Sequence, residues 1–527
     1  MGYVMDAPLG KIFLVLACII AMVAICLTTP SLYPKLCSST CRPHTTETLH
    51  SGYFGYECAG KPHHSSWSSW WHPERSDGIP AEHKMGAGAI TTDWNILYHL
   101  GGNGPWVEKV IDVVDGGIAV PKGCVVEQMH MMSRHAERFP TKKAGHSQRA
   151  VVERMKQSGK IFTGNLAFFN DWELFWSDDD SSLEQLTSTG PFSGTLGSFT
   201  TGVRLRTRYK HLLSHAATLQ PDTPITFWAS GSNRVIETAK HFALGFFGID
   251  YKESNTATLE VIPEHSSLGA DTLTPGRTCL ANKEDSEEGQ RKGYRLMGHY
   301  RTTYLGAIRE RLLKQTNITF NDQEIYAMQE MCGFETTVRG RSDWCDVFTQ
   351  NEFLSFEYAR DLLHYYRAGP GQKYAASMGW LWLNATTNLL LKGPQAGPLF
   401  FSFVHDGDIA PMMTALDIIN DEEHLPTSHI PHSRKWRKSQ VSPMGGRVIF
   451  ELLSCKNDKQ TGSEKFVRLN INDGITAIPK CNSGPGKSCP LEEFAARTRR
   501  KGEEVGDFRK LCGLDETAAD RITFLHQ

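Results

Sequence analysis

Residues 131–145 read MMSRHAERFPTKKAG, with His135 directly after Arg134 and three positions before Arg138. Two guanidinium groups that do not lose their charge bracket one imidazole. Such cations disfavour a third positive charge, so they hold the ring neutral at mildly acidic pH. A neutral imidazole among fixed cations suits nucleophilic attack on a strongly anionic substrate. Two more stretches add to it: SGSNRV (230–235) offers Arg234, and HDGD (405–408) offers His405 and Asp406. Pooled, they supply three arginines, two histidines and one carboxylate, an inventory that suits phosphate. Arginine forks take phosphate oxygens two at a time. A loose phosphoryl-transfer transition state asks mainly for positioning and positive charge, to which a nucleophile and a proton donor are added. Each stretch alone has a plainer reading: a salt-bridged surface for RHxxR, a helix start with Arg234 solvated or pairing Glu237, and a capping pair for His405-Asp406. The combination carries the chemistry.

Three apolar runs precede these residues and are the elements that must position them. CVVEQMHMM (124–132) leans to a strand and ends at SRHAER. PITFWAS (224–230) is a second strand, followed by a helix in which Val235, Ile236, Ala239, Phe242, Ala243 and Phe246 share one face. Asn233 or Ser232 is positioned to cap that helix and Gly248 to end it. PLFFSFV (398–404) reads as a fully buried strand leading through HDGD into IAPMMTALDII, with Asp408 as cap and Pro411 near the first turn. GRVIFELLSC and KFVRLNINDGITAI add late strands, the second folded at Asp473-Gly474 into a hairpin. GYRLMGHYRTTYLGAIRERLL (293–313) and the stretch from Phe353 to Tyr366 look helical. The alternation predicts an α/β fold, and in open α/β sheets ligands bind outside the carboxyl ends of the strands.

With 527 residues the chain is long enough for a large core and two subdomains. Its net charge of −2 and pI of about 6.9 give no overall basic field, which argues against a nucleic-acid partner. Ile12 to Leu27 is uncharged and follows Lys11, so residues 1–30 read as a signal peptide or an uncleaved signal anchor. Either directs the chain to the secretory pathway, for secretion or a cell-surface location with a single N-terminal membrane anchor. Residues 31–85, rich in Trp, Ser, His and Pro, read as loop-rich. Of thirteen cysteines, Cys18 and Cys26 lie in the apolar run, and none of the others forms CxxC. Disulfides are therefore the better reading than zinc. Asn317 and Asn384 stand in glycosylation sequons.

SRHAERFPT (133–141) resembles the RHGxRxP signature of the histidine acid phosphatases. His405-Asp406 resembles that family's HD motif, and SGSNRV its third, arginine-bearing segment. LYHLGGNGPW (97–106), GNLAFFND (164–171) and LPTSHI (425–430) are similar to stretches of the fungal secreted acid phosphatases and related phytases. The resemblance implies one catalytic domain over 86–527. Its fold would be a phosphoglycerate mutase-like α/β sheet domain with a smaller, mostly α-helical second subdomain, inserted roughly at 150–225 and 285–390. It implies His135 as nucleophile, Arg134, Arg138, Arg234 and His405 as phosphate ligands, Asp406 as proton donor, and no metal or cofactor. It further implies the pairs Cys124–Cys455, Cys279–Cys512, Cys332–Cys345 and Cys481–Cys489, leaving Cys37, Cys41 and Cys58. A bridge closing several hundred residues contributes a few kcal/mol in the chain-entropy model, about 4 to 5. Ala136 departs from the family glycine. If that position needs a positive φ or a close approach of phosphate, its methyl group costs about 1 kcal/mol and up to tenfold in rate. Gly407 is a milder departure.

The expected function is hydrolysis of small-molecule phosphomonoesters at acidic pH. The narrower alternative is a phytase, with Lys142, Lys143 and the run Arg434-Lys435-Trp436-Arg437-Lys438 either serving the substrate or forming a solvated face. A catalytically silent relative is favoured by Ala136 alone. A mutase-like transferase shares the RH chemistry, but the secretory start, sequons and cysteines oppose it. No apolar stripe demands an oligomer.

Overall fold

The computed structural model describes residues 94–219, 223–456 and 463–527. The apolar run of 1–30, the 31–85 segment and Cys37, Cys41 and Cys58 lie outside them. An eight-stranded mixed sheet organises the described chain. Its strands are β1 (Cys124–Arg134), β2 (Ile225–Ser230), β3 (Ala257–Ile262), β4 (Leu399–Val404), β5 (Arg447–Lys456), β6 (Ser463–Ile471), β7 (Gly474–Thr476) and β8 (Cys489–Pro490). The order is β3-β2-β4-β1-β5-β6-β7, with β8 beside β6. β3, β2, β4 and β1 run parallel, and β5 reverses direction next to β1.

β2 and β4, inside the parallel half, are buried on both faces, which is why they read as continuous apolar runs. Along β4 the side chains alternate: Leu399, Phe401 and Phe403 enter one core, Phe400 and Val404 the other. A bulge between Val126 and Gln128 shifts the phase of β1, and so Val126 shares a face with Met129 and Met131. Helices cover each face. On one lie α2 (Gly194–Leu219) and α3 (Asn233–Phe246), and α3 buries the predicted face of Val235, Ala239, Phe242, Ala243 and Phe246. These two helices touch backbone to backbone, since a methyl group at Gly202 would strike Phe242 O and one at Gly245 would strike Phe199 O. On the other face lie α7 (Ala375–Lys392), α8 (Asp406–Ala415) and α9 (Leu491–Val505). Helices α1 (Lys142–Gln157), α4 (Arg291–Thr316), α5 (Asp322–Arg339) and α6 (Gln350–Ala368) pack on one another, α1 against α5 and α4 against α6. Of the segments expected to form a helical insertion, α2 and α7 thus lie against the sheet.

Several boundaries differ from the sequence reading for local reasons. Helix α8 starts at Asp406 with His405 as its N-cap, and Asp408 accepts the His405 backbone N–H at 2.9 Å instead of capping the helix itself. The helix ends at Ala415, with Pro411 inside it. The late hairpin turns at Asn472-Asp473, both with positive φ, one residue earlier than read. Helix α3 ends with Phe247 as C-cap, just before Gly248. Four disulfides join Cys124–Cys455, Cys279–Cys512, Cys332–Cys345 and Cys481–Cys489. The first links residues paired in the β1–β5 ladder. Asn317 is exposed in the left-handed region just after α4, and Asn384 is half-buried within α7. No helix among the described residues is long and apolar enough to cross a membrane.

Candidate active site

β1 and β4 end at one level, with Arg134 paired to Val404, so that His135 and His405 leave the sheet side by side. The backbone there is held from two directions. His135 N–H donates to Val404 O at 2.9 Å, and Gly445 N–H, from the turn before β5, donates to His135 O at 2.9 Å. Arg134, Arg138 and Arg234 converge on the same point, Arg138 from the loop after β1 and Arg234 from the first turn of α3. With His135, His405 and Asp406 they line a cavity of about 390 Å³. All six residues singled out by sequence therefore meet.

The histidine's hydrogen bonding sets its chemistry. His135 Nδ1 lies 2.9 Å from Ala136 O, so the ring proton sits on Nδ1 and Nε2 carries a free lone pair. Burial is the largest cause that holds this imidazole well below its usual range, with Arg134, Arg138, Arg234 and His405 adding to it. The arginines are thus the secondary cause of its neutrality. Arg134 Nη1 is anchored on Gly102 O (3.0 Å) and Ser442 O (2.9 Å), and Arg138 Nη1 on Phe139 O (2.8 Å). The Nε–H groups of Arg134, Arg138 and Arg234 are all buried without a protein partner. Three arginines lining one cavity with a nucleophilic nitrogen make a cradle for an oxyanion.

His405 and Asp406 open helix α8. His405 Nε2 lies 2.7 Å from Glu264 Oε1, and its Nδ1 lies 3.4 Å from Arg234 Nη2. The ring therefore donates to a carboxylate through Nε2. Burial lowers the His405 pKa, partly offset by that bond, and burial of Glu264 is outweighed by His405, which brings the carboxyl to about 2. Neutral imidazole beside ionised carboxylate satisfies both shifts. Burial by itself would raise Asp406, but Arg134, Lys438, His364 and Arg367 hold it well below the usual carboxylate range.

Ala136 does not adopt a positive φ, and its N–H donates to Thr238 Oγ1 at 3.0 Å. The backbone strain expected of that departure is absent. Of the basic residues named for a polyanionic substrate, exposed Lys143 reaches the cavity lining and Lys142 does not. The run 434–438 is no solvated face: Arg434, Trp436 and Lys438 are buried, with Arg434 bound to Asp361 (2.8 Å) and Glu357 (3.3 Å). Sequence reasoning missed Glu264, His364 and Arg360, and named Lys438 without its contact to Asp406; all four touch a site residue or line the cavity. Only Lys438 carried a signal, inside its basic run.

A model of the histidine phosphatase superfamily, branch 2, matches residues 125–472. A phytase of Candida albicans is 37% identical over 445 residues, 83% of this chain and 91% of the relative. An acid phosphatase of Komagataella pastoris is 33% identical over 442 residues, 81% of this chain and 88% of the relative. The crystal structure of the phytase from D. castellii superposes with a TM-score of 0.74 at 28% identity, covering 85% of this chain and 94% of that one.

Proposed function

Because the chain belongs to branch 2 of the histidine phosphatase superfamily, we propose that its 390 Å³ cavity hydrolyses phosphate monoesters through a phosphohistidine formed on His135. It is a phosphoric monoester hydrolase of the acid phosphatase kind. The observation that carries the mechanism is the convergence of Arg134, Arg138 and Arg234 on the cavity lined by His135, whose Nε2 is free.

The ester's phosphoryl oxygens accept from Arg134, Arg138 and Arg234. The His135 Nε2 lone pair attacks phosphorus while the P–O ester bond breaks, and Asp406 gives its proton to the departing oxygen. Water then attacks the phosphohistidine. Its proton passes to the Asp406 carboxylate, the P–N bond breaks, and phosphate leaves. Asp406 needs a proton although cations hold it ionised in the free enzyme. The substrate supplies one. A phosphate monoester has a second pKa of about 6 and enters at acidic pH as the monoanion. Once its oxygens sit on the arginines, their field no longer favours the carboxylate, and the proton moves to Asp406. His405 contributes an N–H to the phosphate after taking a proton from the acidic solvent on Nδ1, favoured by Glu264 and by the incoming anion.

A second reading, preference for a highly phosphorylated inositol, is favoured by six further cations in the cavity lining: Lys143, Arg277, Lys283, Arg301, Arg360 and Arg367. The apolar Ile12–Leu27 run, the sequons and the four disulfides support passage through the secretory pathway. The deciding experiment follows phosphate release from an aryl phosphate at about pH 3 to 7 with EDTA present, for wild type and His135→Ala. Acid-side activity that survives EDTA and vanishes in the variant, with an acid-quenched phosphohistidine trapped only in wild type, supports the reading. Undiminished activity in His135→Ala overturns it. The ratio of kcat/KM on inositol hexakisphosphate to that on the aryl phosphate decides the second.

A further inference from the structure

Asp406 is gripped at one oxygen. Arg134 Nη2 (3.5 Å), His364 Nδ1 (3.7 Å) and Lys438 Nζ (3.2 Å) all make their nearest approach to Oδ2. Lys438 is the nearest of the three, yet it is fully buried and does not line the cavity. Its place is fixed at both ends. The backbone N–H donates to Asp361 Oδ1 at 2.6 Å, and Nζ donates to Ser442 O (2.5 Å) and Ser442 Oγ (2.8 Å). With Asp406 Oδ2 these give the ammonium one acceptor for each of its three protons. Ser442 O also accepts from Arg134 Nη1. Arg134, Ser442, Lys438 and Asp406 therefore close a ring that ties the phosphate-binding arginine to the carboxylate.

An ammonium with no route to substrate needs a reason to be there, since burying one is costly unless every proton is satisfied. We propose that Lys438 is the positioning residue of the proton donor: it pins Oδ2, so that Oδ1 carries the proton toward the leaving oxygen. The inference rests on Asp406 being that donor. As the proton departs, negative charge appears on the carboxyl beside a fixed cation. The contact is thus stronger in the transition state than in the ground state, the condition for it to accelerate the reaction.

The need for a proton depends on the leaving group, and this separates positioning from mere structural support. A nitrophenolate departs without help, whereas the alkoxide of glycerol does not. The measurement is kcat/KM on p-nitrophenyl phosphate and on glycerol 2-phosphate for wild type, Lys438→Met and Asp406→Asn. For Lys438→Met the expected loss is about 10²-fold on the glycerol ester and under about tenfold on the aryl ester. Inhibition by inorganic phosphate should stay within about threefold of wild type, because the three arginines remain. Equal loss on both esters in Lys438→Met, with Asp406→Asn still discriminating between them, overturns the role of Lys438 alone. If Asp406→Asn does not discriminate, the donor assignment falls and this inference with it. Ser442→Ala, which removes one of the three acceptors, is the second variant if Lys438→Met does not fold. It should tilt the ratio of the two substrates the same way by about threefold, and an unchanged ratio overturns the proposal.

Discussion

Replacing Ala136 with glycine restores the residue of the family signature, and sequence reasoning alone expects a faster enzyme from it. The structure predicts the opposite sign for stability and nothing for rate. Ala136 is 2% exposed, outside the positive-φ region, and its N–H already reaches Thr238 Oγ1. Glycine therefore relieves no strain. Ala136 lines a small cavity of about 20 Å³, together with Thr238, Phe242 and Phe403, and not the larger cavity that His135 lines. Removing the methyl loses about 0.8 kcal/mol of burial, and the freer unfolded chain adds about 0.4 to 1 kcal/mol. Ala136→Gly should lower the unfolding free energy by about 1.5 kcal/mol, read as a shift in urea midpoint at constant slope. Its kcat/KM on p-nitrophenyl phosphate should stay within about twofold of wild type. A gain near tenfold would refute the reasoning, for it would mean that the methyl group meets the bound phosphate.

Burial, three arginines and His405 keep His135 neutral far below its usual range, so the acid limb of the kcat/KM profile lies low, while the donor's proton arrives with the substrate. The alkaline limb should fall near pH 6 and move with the second pKa of the ester used, and a limb identical for esters of different second pKa contradicts this. Glu264→Gln exchanges the carboxylate 2.7 Å from His405 Nε2 for an amide. Losing the charge-assisted part of that bond, about 1 to 2 kcal/mol, should lower kcat/KM by about tenfold or slightly more, with the fold unchanged by circular dichroism. Arg434→Met deprives Asp361, fully buried, of its 2.8 Å partner. An uncompensated buried carboxylate costs about 3 to 5 kcal/mol, and a urea midpoint equal to wild type would count against that network.

The residues that react were legible because each stands at the end of an apolar run that the chain cannot expose. Leu399–Val404 can only be a buried strand, and His405-Asp406 must follow it at the sheet's edge. Helix α3 was equally plain from its single face, and with it Arg234. What stayed hidden acts across long sequence separations. Glu264 follows β3, an edge strand whose half-exposed side chains give no clear alternation. His364 sits on α6 among side chains buried nearly all round, where no face marks it. Lys438 lies in a run whose local composition reads as solvated, yet Glu357 and Asp361 on α6 draw Arg434 and the Lys438 backbone inward. Charge on one element predicts exposure only when no opposite charge waits on another.

The backbone carbonyl of Gly102 that holds Arg134, and the Gly101 carbonyl and Asn103 Oδ1 that accept from Arg360, belong to a stretch ahead of β1. The family match begins only at residue 125. Expressing the matched region alone would thus discard part of the phosphate clamp, along with three of the four disulfide partnerships, which need Cys124, Cys489 or Cys512. A boundary drawn from a family model marks what the model holds in common, and here the working unit is larger than that, as the longer alignment with the Candida albicans relative also is.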